Sequence, residues 1–137
     1  EVYKITLDHY PDAVAEVMRA IAHAPPDEAV VLHCHSGKDR TGIISALLLR
    51  LAGVPRSIVA EDYAQSRDCL WPLYEQVVAE AGGAEHVDPW LEPRCPPETM
   101  LEMLDHLEVR YGSVRDYLAG AAGLSAEEIE RLRERLL

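Results

Sequence analysis

Only one segment of this 137-residue chain is clearly predicted to be a β-strand, and that limits the possible folds more than any other feature. The run AVVLH at residues 29–33 is apolar and rich in β-branched side chains, which is typical of a strand buried on both faces of a parallel sheet. After a short loop, residues 41–52 are almost entirely apolar and predict a central, buried helix that ends at Gly53. The order of strand, loop and buried helix predicts a ligand site at the carboxyl edge of an α/β sheet.

A single strand cannot form a sheet by itself. We therefore expect its partner strands to lie upstream of Glu1, where the chain opens without a methionine, or to belong to another chain. The remaining text is mostly helical, and residues 1–7 fit either a short strand or the end of a helix. Helices are predicted for residues 11–24, 56–66, 72–81, 98–111, 114–121 and 125–137. The last of them is expected to begin with a capping box of Ser125 and Glu128. The expectation is one mostly helical domain over residues 1–137, with an α/β strand-loop-helix core and a helical C-terminal part.

Charge and cysteine content exclude several classes of partner. A formal charge of -11, from 13 basic and 24 acidic residues, repels nucleic acid and anionic membrane surfaces. No apolar run approaches the ~20 residues that cross a bilayer, so stable membrane insertion is not expected. Three cysteines without CxxC spacing indicate a protein of the reducing cytoplasm. A secreted form is the alternative, because residues that precede Glu1 could be absent from this sequence.

The loop HCHSGKDRTG at residues 33–42 carries the candidate chemistry. Cys34 and Arg40 are separated by five residues, a spacing that lets successive backbone N–H groups converge on one anion such as a phosphate. A cysteine beside a helix N-terminus and a cation has a pKa of ~3.5 to 7.5 instead of ~8.5, so Cys34 is a candidate nucleophile. The residues expected to surround the phosphate are His35, Ser36, Gly37, Lys38, Asp39 and Arg40.

Four neighbours of the nucleophile have candidate roles. Lys38 either contacts an anionic group of the substrate or is a solvated loop cation. Asp39 is a candidate general acid, because repulsion from a thiolate and a phosphate dianion favours a protonated carboxyl; the alternative is a structural acceptor, for example a partner of Arg40. Thr41 hydrogen-bonds the sulfur or caps the helix, and His33 positions the loop.

Two other anion-binding loop motifs are less consistent with the sequence of residues 33–42. A nucleotide-binding GxxxxGK[ST] loop would need glycine at Leu32, and Lys38 is followed by Asp39. A rhodanese-like sulfur-transfer loop also uses a cysteine in an anion cradle, but its persulfide chemistry does not require an acid beside Arg40. Taken one at a time, these residues could be an ordinary strand end and turn; their spacing and context favour catalysis.

The loop resembles the HCxxGKDRTG signature of the protein tyrosine phosphatase superfamily, specifically of bacterial tyrosine phosphatases whose loop also resembles that of phosphoinositide phosphatases. The similarity extends over most of the chain, through EDYAQS at 61–66, PETM at 97–100, YGSV at 111–114 and GLS at 123–125. The resemblance implies a phosphatase-type α/β fold with further strands before this segment, which makes residues 1–137 the C-terminal portion of a phosphatase domain.

The resemblance also implies an activity. It predicts hydrolysis of phosphotyrosine, in some members also of phosphoserine, phosphothreonine or phosphoinositides, without metal or other cofactor. Cys34 is then the nucleophile, Arg40 clamps the phosphate and Asp39 is the acid. The substrate is a phosphorylated protein or a phosphoinositide. The alternative function is a phosphate-recognising module without turnover.

Features outside the loop are less specific. Trp71, Tyr74 and Trp90 could belong to a lid over the site, but core packing is the favoured interpretation. Asp8 precedes Cys34 at a distance suited to a mobile acid, although a helix cap is favoured.

Cysteine and histidine side chains outside the loop are candidates for redox and metal chemistry. Cys69 or Cys95 could form a reversible disulfide with Cys34. His86 and His106 lack ligand partners at useful spacing, so no metal site is predicted.

Overall fold

The computed structural model describes all residues, 1–137, as a helical assembly. Its elements, in chain order, are α1 (Val2–His9), α2 (Pro11–His23), α3 (Asp39–Leu51), α4 (Arg56–Ala81), two 3-10 turns (Ala84–His86 and Pro89–Leu91), α5 (Pro97–Tyr111), α6 (Val114–Ala119) and α7 (Ala126–Leu136). No helix is both long and apolar enough to cross a membrane.

The predicted strand at residues 29–33 does not form, so that prediction is wrong for this chain. These residues have no regular secondary structure and take part in no backbone–backbone hydrogen bond. Val31 is 83% exposed, whereas Leu32 packs against the core. A strand is stabilised by the ladder that it makes with a neighbour, and no neighbour is present here. No sheet forms within these residues, and the expectation of a mostly helical chain is confirmed.

Helix α3 is the centre of the core, as its apolar sequence predicted. Ile43, Ile44, Ala46, Leu47 and Leu51 are buried, and the helix packs against α2, α4, α6 and α7. It begins at Asp39, two residues earlier than predicted, so Asp39 and Arg40 lie in its first turn rather than in the loop. This central position fixes the helix end that carries the candidate site.

Helix α4 is continuous from Arg56 to Ala81, whereas the sequence predicted two helices separated by residues 67–71. Pro72 lies inside it and is exposed. A proline removes one N–H donor and crowds the preceding turn, but at an exposed position the freed carbonyl can be hydrated. The buried residues of α4 are Val59, Ala60 and Tyr63, which all lie in its first half. The second half of the helix has no buried side chain.

The N- and C-terminal helices complete the core. Residues 1–7, left open between strand and helix, belong to α1, which buries Tyr3 and Leu7 and packs on α2 and α5. The three predicted C-terminal helices are confirmed as α5, α6 and α7. Helix α7 begins with the predicted capping box, in which Ser125 and Glu128 exchange side-chain to backbone hydrogen bonds.

The prediction of core packing for Trp71, Tyr74 and Trp90 is wrong. Trp90 is 84% exposed, and none of the three belongs to the core cluster. Trp71 instead stacks locally, with its ring centroid 5.5 Å from that of Tyr74 and the Arg67 guanidinium 4.7 Å away. Arg67, Trp71 and Tyr74 lie on the part of α4 that has no buried side chain.

Candidate active site

The candidate loop follows the segment at residues 29–33 and leads into α3. Residues 35–38 make a series of bends that turn the chain into the first turn of the helix. Gly37 has φ +70°, a left-handed conformation that residues with a side chain rarely adopt. The glycine therefore lets the backbone fold back around the Cys34 sulfur.

The Cys34 thiol is the group whose ionisation this loop controls. Burial raises the pKa of this thiol. The Thr41 hydroxyl and the backbone N–H groups of Thr41, Gly37 and Lys38 lower the pKa by more than burial raises it, to about 7. The buried Thr41 hydroxyl has no hydrogen-bond partner at ordinary distance, so it is free to donate to the Cys34 sulfur, whose pKa it lowers. Because hydrogen-bond donors favour the anion, roughly half of this thiol is thiolate at neutral pH.

Arg40 and His35 lie at the open side of the loop. Both side chains are exposed. A guanidinium offers five N–H donors in a fork that matches two phosphate oxygens. His33 is also exposed, and its Nδ1 lies 3.2 Å from the Cys34 carbonyl oxygen, within the loop itself.

A groove of about 320 Å³ adjoins the loop. Ser36 and Gly37 form its loop side, and residues of α3 and α4 form the other walls, among them Thr41, Ser45, Asp62, Tyr63, Gln65 and Cys69. Its size is suited to a small organic group. Cys34, Asp39 and Arg40 do not line it, so the groove lies beside the candidate catalytic residues rather than around them.

Lys38 and Asp39 meet at the start of α3. The Lys38 ammonium lies 3.8 Å from Asp39 Oδ2, and its side chain is only 14% exposed. That burial argues against the alternative of a freely solvated loop cation. Asp39 Oδ1 accepts a hydrogen bond of 2.7 Å from the Tyr3 hydroxyl. The partners of Asp39 are therefore Tyr3 and Lys38 rather than Arg40.

The two tyrosines behind Asp39 were not predicted from the sequence. The Tyr3 hydroxyl lies 2.7 Å from that of Tyr63, and both rings are buried. Gly42 makes room for this pair, because a Cβ there would lie 3.1 Å from Tyr63 Cδ2. The only signal in the sequence was the EDYAQS text that contains Tyr63, and Tyr3 had no signal beyond its apolar spacing.

Asp8 lies in a different cluster. Its carboxylate is 3.0 Å from His106 Nε2 and accepts a hydrogen bond of 2.7 Å from the Tyr111 hydroxyl, which ties α1 to α5. It is therefore neither the predicted helix cap nor a free acid. No group of three or more His, Cys, Asp or Glu side chains is placed to share a metal ion. All three cysteines are free; Cys69 is exposed and Cys95 is buried.

Sequence comparisons identify the family. The profile of the tyrosine phosphatase family matches residues 1–137, so the chain belongs to that family. Its members are, by name, phosphatases and thus hydrolases.

Curated relatives agree with this assignment. The chain is 36% identical to a tyrosine-protein phosphatase of Nostoc commune, over 99% of this chain and 48% of the relative. It is 29% identical to the triple specificity protein phosphatase PtpB of Mycobacterium tuberculosis, over 91% of this chain and 49% of that protein. A putative tyrosine-protein phosphatase of Cupriavidus necator is 27% identical over 94% and 47%. The chain spans about half the length of these relatives.

Proposed function

We propose that this chain is part of a cysteine-dependent phosphomonoester hydrolase that acts on phosphotyrosine in proteins. The observation that carries the proposal is the Cys34 thiol, whose pKa of about 7 follows from hydrogen-bond donors that converge from Gly37, Lys38 and Thr41. Donors that stabilise a thiolate at the start of a helix can equally bind phosphate oxygens. The exposed Arg40 is available to hold two of those oxygens.

The proposed reaction has two steps. In the first, Cys34 Sγ attacks phosphorus and the bond to the ester oxygen breaks, while Asp39 gives its proton to the departing oxygen. In the second, water attacks phosphorus, the sulfur–phosphorus bond breaks, and Asp39 accepts the proton of the water. Inorganic phosphate leaves and the Cys34 thiolate is restored. Thr41 stabilises that thiolate through its hydroxyl. The proposal needs no metal or other cofactor.

Phosphoserine, phosphothreonine and phosphoinositides are further candidate substrates. The partly buried Lys38 adds a positive charge beside the loop, which supports binding of a second anionic group. The second candidate function, a phosphate-binding module without turnover, shares the cradle and would differ only in lacking steps after binding. Free cysteines fit the proposal of a reducing, cytoplasmic location.

We further propose that residues 1–137 form the C-terminal portion of one phosphatase domain, in which the segment at 29–33 pairs with a strand from outside these residues. Its unpaired backbone and the exposed Val31 support that proposal. The strand would come from an upstream segment or from a partner chain.

The test is hydrolysis of p-nitrophenyl phosphate in the presence of EDTA, with this chain and with one extended at its N-terminus. Wild type is compared with Cys34→Ser and Asp39→Asn. The proposal predicts turnover that Cys34→Ser abolishes and that Asp39→Asn strongly reduces. If neither chain turns over substrate while both still bind vanadate, the module without turnover is the better assignment.

A further inference from the structure

A chain of hydrogen bonds continues from Asp39 into the core. Tyr3 Oη donates to Asp39 Oδ1 at 2.7 Å, and the Tyr63 hydroxyl lies 2.7 Å from Tyr3 Oη. Tyr3 is 7% exposed and Tyr63 is 5% exposed. The residues come from α1, α3 and α4, so the contact exists only when three helices are packed together.

The direction of these bonds follows from counting protons. A tyrosine hydroxyl has one proton, and that of Tyr3 is given to Asp39. The oxygen of Tyr3 can therefore only accept from Tyr63. Burial, together with the hydrogen bond that Tyr3 donates to Asp39, raises the pKa of Tyr3 well above its ordinary value. Burial likewise raises the pKa of Tyr63 to about 12. Both hydroxyls thus remain protonated donors throughout the neutral range.

This arrangement makes the two oxygens of Asp39 different. Oδ1 is occupied by the Tyr3 hydroxyl, whereas Oδ2 has only the Lys38 ammonium nearby, at 3.8 Å. A carboxyl that accepts a strong hydrogen bond at one oxygen carries its proton on the other. The bond to Tyr3 also restricts rotation of the carboxyl group, so Oδ2 keeps one orientation.

We infer that Tyr3 and Tyr63 are positioning residues for the reaction proposed above, which hold the Asp39 carboxyl so that Oδ2 gives the proton to the leaving oxygen. The inference rests on the proposed function, because it assigns a role within the same step. Tyr3 acts on Asp39 directly and Tyr63 acts through Tyr3. A purely structural role, in which the pair only joins α1 to α4, predicts a different response to the leaving group.

The experiment compares two substrates with the full chain. The leaving group of p-nitrophenyl phosphate departs readily without an acid, whereas that of phenyl phosphate depends on one. Tyr3→Phe removes the hydroxyl and keeps the ring. Since a hydrogen bond to a charged group contributes about 1.5 to 3 kcal/mol, we expect kcat/KM for phenyl phosphate to fall about 10- to 100-fold. The loss for p-nitrophenyl phosphate should be several-fold smaller, and Tyr63→Phe should show the same trend to a lesser degree.

Tyr117→Phe is the matched control, because this buried tyrosine donates to the Leu7 carbonyl oxygen at 3.1 Å and does not touch Asp39. Thermal unfolding identifies any variant that fails to fold, and Tyr63→Phe then carries the test. Equal losses on both substrates, or the same selective loss in Tyr117→Phe, would overturn the inference. Asp39→Asn is measured in parallel. A selective loss in Asp39→Asn without one in Tyr3→Phe refutes only the positioning role, whereas no selective loss in Asp39→Asn refutes the acid itself.

Discussion

The ionisation of Cys34 can be tested by removing one hydrogen-bond donor. Thr41→Val deletes the hydroxyl and keeps the shape of the side chain, while the backbone donors of Gly37, Lys38 and residue 41 remain. Of the groups that lower the pKa of the Cys34 thiol to about 7, the Thr41 hydroxyl is the largest contributor. A hydrogen bond to a charged group contributes about 1.5 to 3 kcal/mol, and 1.36 kcal/mol corresponds to one pKa unit. A shared site loses less than the full amount, so we expect the pKa to rise by about one.

The consequence of that rise is large at neutral pH. The thiolate fraction at pH 7 should fall from about one half to about one tenth. The assay is the rate of alkylation by iodoacetamide as a function of pH, followed by mass spectrometry of the Cys34 peptide. The measurement is made in a Cys69→Ser background because Cys69 is exposed and would consume reagent.

The control is Thr6→Val, which removes a threonine hydroxyl that bonds to the Val2 carbonyl oxygen on α1, away from the loop. It should leave the alkylation profile of Cys34 unchanged. An unchanged profile in Thr41→Val would refute the role assigned to the hydroxyl. Equal changes in both variants would mean that general destabilisation, rather than loss of a donor, alters the reactivity of the thiol.

Two further predictions concern stability. Gly42→Ala places a methyl group 3.1 Å from the buried Tyr63 ring, so overpacking of about 1 to 3 kcal/mol should outweigh the helix propensity gained, and denaturant titration should show a less stable protein. A variant as stable as wild type would contradict this. For Asp8, burial raises the pKa, but hydrogen bonds from His106 and Tyr111 lower it below its ordinary value overall. Because the pKa of Asp8 is lower in the folded state, its ionised carboxylate stabilises the fold at pH values above the unfolded-state pKa of about 3.9. That stabilisation is lost as the pH falls through the folded-state pKa. The difference in unfolding free energy between wild type and Asp8→Asn should therefore shrink below about pH 4; a difference independent of pH would refute the pairing.

The loop and its helix could be predicted from sequence because their determinants are local. The apolar text of residues 41–52 is continuous and fixes the central helix without reference to distant residues. The spacing of Cys34 and Arg40, with Gly37 between them, likewise lies within one stretch of chain. The capping box at Ser125 and Glu128 is a third local pattern, and it forms as expected.

The segment at residues 29–33 shows where local pattern stops being sufficient. Its composition favours a strand, but a strand also needs a neighbour that supplies hydrogen bonds, and none is present among these helices. The predicted break in α4 is the opposite error. Separate helices were predicted for residues 56–66 and 72–81, but α4 is continuous, because the exposed side of a helix tolerates the donor lost at Pro72.

The contacts of Asp39 could not be predicted at all. Tyr3 is 36 positions away from Asp39 and 60 away from Tyr63, so the cluster depends on the packing of three helices. Tyr3 in the sequence is one aromatic residue in a segment that fits either a strand or a helix. Only the packing of α1 against the rest of the core brings the Tyr3 hydroxyl to Asp39.

The central claim is that Cys34 becomes covalently phosphorylated during turnover. The most direct measurement is rapid chemical quench of the protein with p-nitrophenyl phosphate, followed by peptide mass spectrometry. The account predicts one phosphoryl group on the peptide that contains Cys34, formed within the first turnover and absent from Cys34→Ser. Turnover without a phosphorylated Cys34 peptide, or with the phosphoryl group on another residue, would contradict it.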